Sequence, residues 1–186
     1  MKPIFLLFAS LSLCLGCQEQ TNAQKELQPL PVKKALTQAG DPMILGPLNR
    51  ANLKDSIYQS WFQDSYDFYR VPQNWATDLK QKAQEFEFVI FMGTWCEDTQ
   101  RELGGIFKLV DALEIADANI TMYALNEDKE SEEGYEKPYA ILNIPTVIFK
   151  KGGQEVNRIV ELPVETLHED MQKIITGQPY QNAYDF

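Results

Sequence analysis

The chain has 186 residues, which allows one domain with a short extra segment and excludes two domains of ordinary size. Its hydrophobic content of 44% predicts a packed globule rather than a disordered chain. The formal net charge of −10 leaves no basic surface to displace counterions from phosphates, so we expect no nucleic-acid partner.

The first residues have the pattern of an export signal rather than of a folded element. Lys2 is followed by an uncharged apolar run from Ile4 to Leu15, which is shorter than the roughly 20 residues that a membrane-spanning helix needs. The run leads into Leu15-Gly16-Cys17, which resembles the lipobox of bacterial lipoproteins, although Cys14 stands where that motif usually has leucine. We therefore predict that residues 1–16 are removed as a lipoprotein-type signal peptide. An ordinary secretory signal cut nearby is the alternative, and both predict an exported protein of the cell envelope or periplasm.

Processing of this kind decides how many thiols remain. Cys14 leaves with the signal and the sulfur of Cys17 carries lipid, so Cys96 is the single free thiol of the processed chain. A structural disulfide within the chain is then excluded. One thiol and one histidine, His168, cannot supply the four ligands of a cysteine-type zinc site, and we expect no metal and no other cofactor. More than one acyl chain on Cys17 would hold the protein stably at a membrane surface.

A change in composition divides the rest of the chain at Asp41. Residues 18–40 are rich in Gln, Lys, Glu and Pro, which predicts a flexible tether. We expect one domain over residues 41–186, with residues 41–72 as an aromatic-rich N-terminal extension. Aromatic side chains are densest between Leu53 and Tyr69. We expect them to pack against the domain; a partner-binding surface is the alternative.

The middle of the chain predicts helix, strand and helix in succession. Trp75, Leu79 and Ala83 recur at four-residue spacing, as in an amphipathic helix. Phe86–Met92 is nearly all β-branched or aromatic, which predicts a central strand buried on both faces. Gly93 ends that strand.

The helix that follows has an apolar side made by Leu103, Phe107, Val110 and Leu113. It also contains Gly104-Gly105, which costs roughly 1–2 kcal/mol of helix stability relative to alanine. The pair therefore indicates a bend or a close packing contact.

The last part of the chain predicts three strands and a helix. Ile120–Leu125 is a strand, and the acidic segment Asn126–Lys137 is a solvent-exposed loop and helix face. Thr146–Lys150 and Glu155–Val160 form a hairpin, and Leu162–Thr176 is a closing helix, with His168 on its surface. Strands that alternate with helices predict an α/β sheet with a helix layer on each face.

Chemistry is expected where the buried strand meets the next helix, in Gly93-Thr94-Trp95-Cys96-Glu97-Asp98-Thr99. Backbone N–H groups at a helix start favour negative charge, so a sulfur there is more often the reactive thiolate. Thr99 is one turn further and could donate its hydroxyl hydrogen to that thiolate. The carboxylates of Glu97 and Asp98 oppose the thiolate, so the sequence leaves the net effect open. A small buried cysteine without chemistry is the alternative.

The segment FVIFMGTWCEDT, with Ile144-Pro145-Thr146 and TVIFKKGGQEVNRIVE downstream, resembles the bacterial thioredoxin-like superfamily. The most similar branch is secreted and has an active segment that reads Trp-Cys-Gly-Asp-Ser or similar. The resemblance extends from about Ile44 to Tyr180. It implies a thioredoxin-like fold, which is a central mixed sheet with helices on both faces.

The resemblance also implies roles for individual residues. Cys96 would be the nucleophile, in an active segment with Trp95, Asp98 and Thr99. Pro145 would be cis and face the sulfur, and Ile144, Pro145 and Thr146 would form a groove where a substrate strand pairs. Asp98 either passes a proton to the leaving thiol or satisfies N–H groups at the helix start, and both remain open.

One departure from the family changes the expected mechanism. Thr99 stands where dithiol thioredoxins have their second cysteine, so nothing in the domain can resolve a mixed disulfide. We expect a monothiol thiol–disulfide oxidoreductase or isomerase that acts on disulfide- or thiol-bearing proteins of the cell envelope and needs an external thiol. The alternative is a redox-silent protein-binding or assembly module with the same fold. A peroxidase is disfavoured, because Gly93 stands where peroxiredoxins have threonine.

Overall fold

The computed structural model describes residues 27–185. The predicted signal peptide, the lipidation site Cys17 and the first part of the predicted tether lie outside the described residues. The described chain contains six strands and four α-helices: β1 (Lys33–Leu36), β2 (Pro42–Leu48), α1 (Ser56–Phe68), α2 (Lys80–Ala83), β3 (Phe86–Met92), α3 (Glu97–Ala112), β4 (Ile120–Ala124), β5 (Thr146–Lys151), β6 (Gln154–Val160) and α4 (Leu167–Thr176). Short 3-10 turns lie at Arg50–Lys54, Asp117–Asn119 and Lys137–Tyr139.

The six strands form one mixed sheet in the order β1-β2-β4-β3-β5-β6. The central strand β3 is parallel to β4, with Ile90 opposite Met122, and antiparallel to β5, with Ile90 opposite Val147. The remaining neighbours pair antiparallel. The predicted α/β class is confirmed, and the four strands predicted from the sequence agree with β3, β4, β5 and β6 to within one residue at each end.

The side chains of β3 alternate between two buried layers, as the period of a strand requires. Phe88, Ile90 and Met92 belong to the larger apolar cluster, which includes side chains from α3 and α4. Val89 and Phe91 belong to the smaller cluster, which includes side chains from the segment between β4 and β5. A strand covered on both faces explains the almost unbroken apolar run in its sequence.

The N-terminal edge of the sheet was missed by the sequence analysis. Residues 33–36, within the segment predicted to be a flexible tether, form β1, which pairs with β2 from Lys33 opposite Leu45 to Leu36 opposite Pro42. This corrects the predicted start of the folded part at Asp41. The edge strand has no buried side chain, so backbone pairing defines it and no apolar pattern marks it.

Most of the aromatic extension packs against the domain, as expected. Helix α1 contributes the buried Tyr58 and the half-buried Trp61 and Phe62, and the ring centroids of Phe62 and Phe107 are 5.7 Å apart. Phe68 at the end of α1 is the exception, because 85% of it is exposed.

Gly104 allows the close contact between α1 and α3. A Cβ atom on Gly104 would lie 2.1 Å from Ser65 Oγ and 2.2 Å from Tyr66 N. The Gly104 N–H donates to Ser65 Oγ at 3.1 Å. Of the two alternatives for the glycine pair, close packing is therefore the one observed, within a helix that runs continuously from Glu97 to Ala112.

Two predicted helices are shorter than expected. The helix predicted from Trp75 is helical only over Lys80–Ala83 and is preceded by turns. The closing helix begins at Leu167 rather than Leu162, because the buried carboxylate of Asp170 accepts hydrogen bonds from Val164 N and Glu165 N and holds that segment in a loop. The acidic segment 126–137 contains no α-helix; it ends in the 3-10 turn Lys137–Tyr139.

His168 is a further correction, since it was expected on the solvent-exposed surface of α4. It is half-buried, with Nδ1 3.1 Å from the Tyr69 hydroxyl, and its carbonyl accepts a hydrogen bond from Trp75 Nε1 at 3.1 Å. The residue therefore joins α4 to the aromatic extension. Between residues 27 and 185, no helix is both long and apolar enough to cross a membrane.

Candidate functional site

Cys96 is the residue that immediately precedes helix α3. Its backbone is extended, with φ −82° and ψ 124°, so it occupies the N-cap position. No side-chain hydrogen bond from this residue caps the helix. Cys96 is half-buried and in thiol form donates a long hydrogen bond to the Ile144 carbonyl, with Sγ and O 3.5 Å apart. The sulfur therefore lies at an uncapped helix start, as the sequence predicted.

Gly93 lets the segment before Cys96 turn sharply out of the sheet. A Cβ atom there would lie 2.7 Å from Trp95 Nε1 and 2.9 Å from Ile144 Cδ1, so only glycine leaves room for both side chains. Trp95 Nε1 donates to the Leu125 carbonyl at 2.9 Å. The indole is therefore held against the end of β4, next to the cysteine.

The Ile144–Pro145 peptide bond is cis and faces Cys96, which confirms that expectation. The Pro145 carbonyl accepts from Glu161 N at 2.7 Å. Thr146 Oγ1 donates to the Asn143 carbonyl at 2.6 Å. Ile144, Pro145 and Thr146 are all buried, and Thr146 pairs within the sheet. The substrate groove predicted from them remains a prediction.

Tyr184, near the C-terminus, holds the loop that leads into Pro145. Its hydroxyl oxygen accepts from the N–H groups of Leu142 and Asn143, each at 3.0 Å. The Arg158 guanidinium lies 5.5 Å from the centroid of the Tyr184 ring. No sequence signal marked this tyrosine, because it lies about 40 positions after the loop it contacts.

Thr99 does not interact with the sulfur in the way proposed from the sequence. It is fully buried, and its hydroxyl oxygen accepts a hydrogen bond from Gly93 N at 3.3 Å. In the described part of the chain it forms no hydrogen bond with Cys96. The hydroxyl therefore closes the turn between β3 and α3.

Asp98 is paired with a cation that sequence reasoning missed. Its Oδ1 lies 2.6 Å from Arg101 Nη2, one turn further along α3, and Arg101 also pairs with Glu102. No hydrogen bond from a described backbone N–H to Asp98 is present, so the helix-start alternative is not observed. Its role in proton transfer remains a prediction. The i, i+3 spacing of Asp98 and Arg101, which have opposite charges, is the sequence signal that predicts such an ion pair.

The arrangement has one nucleophile and no metal-binding group. Within residues 27–185, Cys96 is the free cysteine, and no cluster of His, Cys, Asp and Glu side chains could hold a metal ion. A thiol in this position can attack a disulfide through its thiolate. It has no second thiol among the described residues to complete the exchange.

The sequence matches no protein-family model and no curated protein significantly. Among solved structures, it is similar to a Pseudomonas aeruginosa protein of unknown function, with 17% identity, a TM-score of 0.45, and coverage of 64% of this chain and 72% of that one. Fasciola hepatica thioredoxin has 20% identity, a TM-score of 0.36, and coverage of 55% and 89%. Saccharomyces cerevisiae mitochondrial thioredoxin 3 has 19% identity, a TM-score of 0.36, and coverage of 61% and 98%.

The fold itself is read from the chain's own topology. In the mixed sheet, β3 lies between a parallel and an antiparallel neighbour. The segment after β3 places a cysteine at a helix start, and a cis-proline lies opposite that cysteine. This chain has a thioredoxin-like fold.

Proposed function

We propose that this protein is a monothiol thiol–disulfide oxidoreductase or isomerase of the cell envelope, with Cys96 as its nucleophile. One observation carries the proposal. Cys96 is half-buried rather than sealed in the core, and it lies at a helix start that its own side chain does not cap. The first-turn N–H groups of α3 are available to stabilise a thiolate there.

The chemistry takes two exchange steps. The Cys96 thiolate attacks one sulfur of a client disulfide, so that a Cys96–client S–S bond forms while the client S–S bond breaks. The second client sulfur leaves as a thiolate with the bonding electron pair. An external thiolate then attacks the client sulfur of the mixed disulfide and releases the Cys96 thiolate.

The source of the external thiolate decides the outcome. If it belongs to the same client, the client's disulfides are rearranged without net oxidation or reduction. If it belongs to another molecule, the client disulfide is opened, so that one client sulfur is a thiol and the other carries the external sulfur in a mixed disulfide. A second external thiolate then attacks the external sulfur of that mixed disulfide, which frees the second client thiolate and leaves the two external sulfurs joined in a disulfide. Among the described residues Cys96 is the one free cysteine, which supports a mechanism in which the resolving thiol comes from outside.

The experiment uses the full-length protein, purified in detergent, with a fluorescently quenched disulfide peptide as client and reduced glutathione as external thiol. We expect a cleavage rate well above that of glutathione alone and a return to that background in Cys96→Ser. Thr77→Ala is the matched control, because Thr77 is exposed. A wild-type rate equal to the background would contradict the proposal.

A redox-silent binding module is the second candidate. The observation that favours it is that the Cys96 thiol donates to the Ile144 carbonyl, an acceptor that serves the protonated form of the sulfur and not the thiolate. Capture of envelope proteins that survives both Cys96→Ser and a thiol-blocking reagent would support this module. Capture that depends on Cys96 would support the exchange protein.

Export and lipid anchoring are separate parts of the proposal and rest on the sequence of the first 17 residues. We expect the wild-type protein to incorporate an alkyne-labelled fatty acid and to sediment with membranes. In Cys17→Ser both properties should be lost, whereas Cys14→Ser should retain them. Retention of the label in Cys17→Ser would show that the lipid is not on that residue.

A further inference from the structure

A small cavity lies directly beside the reactive segment, and neither the sequence analysis nor the mechanism assigned it a role. It has a volume of about 350 Å³ and is lined by Thr94, Trp95 and Gln100 around Cys96, by Tyr58 and Trp61 of α1, and by the carboxylate residues Asp41 and Glu127. We call it the Trp95 cavity. Its volume is at the small end for ligand pockets and suits one side chain rather than a large molecule.

Four separate parts of the chain build this cavity. The turn between β1 and β2 supplies Asp41, whose N–H donates to Thr37 Oγ1 at 2.9 Å. The same turn is tied to the segment after β4, because Gln38 N donates to Glu127 Oε2 at 2.7 Å. Helix α1 and the reactive segment form the other walls. The cavity is thus a product of the tertiary structure.

The charged side chains that line the Trp95 cavity, Asp41 and Glu127, are both acidic. Asp41 is exposed and has no ion-pair or hydrogen-bond partner for its carboxylate among the described residues. Glu127 is half-exposed and has no ion-pair partner there. Neither lysine nor arginine lines the cavity. These carboxylates therefore favour a cationic side chain as the occupant over an anionic or a neutral one.

Tyr58 belongs to the wall but offers the occupant no polar contact. It is only 2% exposed, and its hydroxyl oxygen is inaccessible to solvent. Burial raises the pKa of Tyr58, so the phenol stays protonated and neutral. The occupant therefore meets carboxylates and indole rings, and not this hydroxyl.

Two indole rings complete the chemical description. Trp61 and Trp95 both line the cavity, and an indole face attracts a planar cation. A guanidinium has five N–H donors, always carries its charge, and stacks on aromatic rings, whereas an ammonium is a compact, strongly hydrated charge. Carboxylates and indole rings together match a guanidinium better than an ammonium.

We propose that the Trp95 cavity binds an arginine side chain of the client, close in sequence to the cysteine that Cys96 attacks. This inference rests on the proposed function, since it names the client feature that brings a disulfide to Cys96. It makes Asp41 and Glu127 specificity residues for exchange.

The test measures mixed-disulfide formation with activated peptides. Each peptide carries one cysteine as a 2-pyridyl disulfide in an otherwise uncharged sequence. The Cys96 thiolate attacks the peptide sulfur, the pyridyl S–S bond breaks, and the released 2-thiopyridone is followed by absorbance. One arginine is moved from three positions before the cysteine to three positions after it. Lysine, glutamate and methionine peptides serve as comparisons.

At the best position we expect the arginine peptide to react roughly tenfold faster than the methionine peptide, a factor that corresponds to about 1.4 kcal/mol. The preference should fall at least threefold in Asp41→Asn/Glu127→Gln. It should persist in Asp78→Asn/Glu87→Gln, which removes the same charge from exposed residues before and within the first half of β3. Equal rates for arginine, lysine and methionine overturn the inference, and so does an equal loss of preference in the control variant.

A binding measurement separates failure of the site from failure of the chemistry. Calorimetry with Cys96→Ser and the arginine peptide, with serine in place of its cysteine, reports the cavity alone. If no activated peptide reacts with wild-type protein but the arginine peptide binds, the exchange function is wrong and the cavity assignment stands. If the peptides react without regard to arginine and none binds preferentially, the exchange function stands and the cavity assignment is wrong.

Discussion

Two helices of this protein follow a strand and a short loop, and their first turns are built in opposite ways. At the start of α4, Thr166 Oγ1 accepts from Glu169 N, and the buried carboxylate of Asp170 accepts from two N–H groups of the loop before the helix. At the start of α3, the residue in the same N-cap position is Cys96, which makes no cap hydrogen bond.

This difference suggests that one helix start serves the stability of the fold and the other serves the reactivity of the cysteine. A helix start with bonded N–H groups contributes to the free energy of folding. A start whose N-cap side chain leaves those groups free can stabilise a negative charge that forms later, such as a thiolate. The α4 start is therefore expected to matter for stability and the α3 start for exchange, and four substitutions test that division.

The largest loss of stability is expected from Asp170→Ala. The fully buried carboxylate accepts from Val164 N, Glu165 N and the Tyr180 hydroxyl, so the substitution leaves three donors without a partner. The free energy of unfolding in urea should fall by roughly 3 kcal/mol or more. The exchange rate per folded molecule should be unchanged. A loss below 1 kcal/mol would contradict this account of the α4 start.

Gly93→Ala should affect both stability and exchange, because it lies in the turn before α3. The new Cβ would collide with the Trp95 ring and with Ile144. Overpacking of this kind costs about 1–3 kcal/mol in unfolding free energy. The substitution should cost less in a Trp95→Phe background, where the indole nitrogen is absent, so a double-mutant cycle checks the contact. Additive losses would show that the collision lies elsewhere.

Thr166→Ala removes the cap of α4 and should lower the unfolding free energy by about 1 kcal/mol. The measurement is urea denaturation followed by circular dichroism. Thr77→Ala is the matched control, since Thr77 is exposed and its side chain has no described partner. If Thr77→Ala lowers the unfolding free energy as much as Thr166→Ala does, the loss of the cap does not explain the effect.

The smallest effect on stability is expected from Cys96→Ser, although it should abolish exchange. Serine is among the best N-cap residues, so the unfolding free energy should stay constant or rise by about 0.5–1 kcal/mol. Loss of stability by more than 1 kcal/mol would instead identify the thiol as a packing group of the core.

Much of the fold could be predicted because its local patterns are strong. The run Phe86–Met92 matches β3 residue for residue, and the apolar side of α3 was visible at helical spacing. β1 could not be predicted in the same way, because its side chains are mostly exposed and only its pairing with β2 defines it. The closing helix was extended too far, since the hydrogen bonds of Asp170 to the preceding loop leave no trace in residue periodicity.

In the candidate site, too, some features could be predicted from the sequence and others could not. The resemblance of the segment around Cys96 and of Ile144-Pro145 placed the sulfur opposite a cis-proline, and the structure agrees. Tyr184 went unnoticed, because its hydroxyl contacts backbone groups about 40 positions earlier in the chain. Thr99 was assigned to the sulfur from helical spacing, but its hydroxyl points back to Gly93.

The sequence by itself determined which segments form the central strands and that Cys96 lies at the start of a helix. These are properties of neighbouring residues, because burial on both sides of a strand and a turn at glycine are encoded over a few positions. Only the tertiary structure decided the edge strand, the hydrogen bonds of Tyr184 and the cavity beside Trp95. Those features join backbone and side chains that are tens of residues apart, and no local pattern records such a pairing.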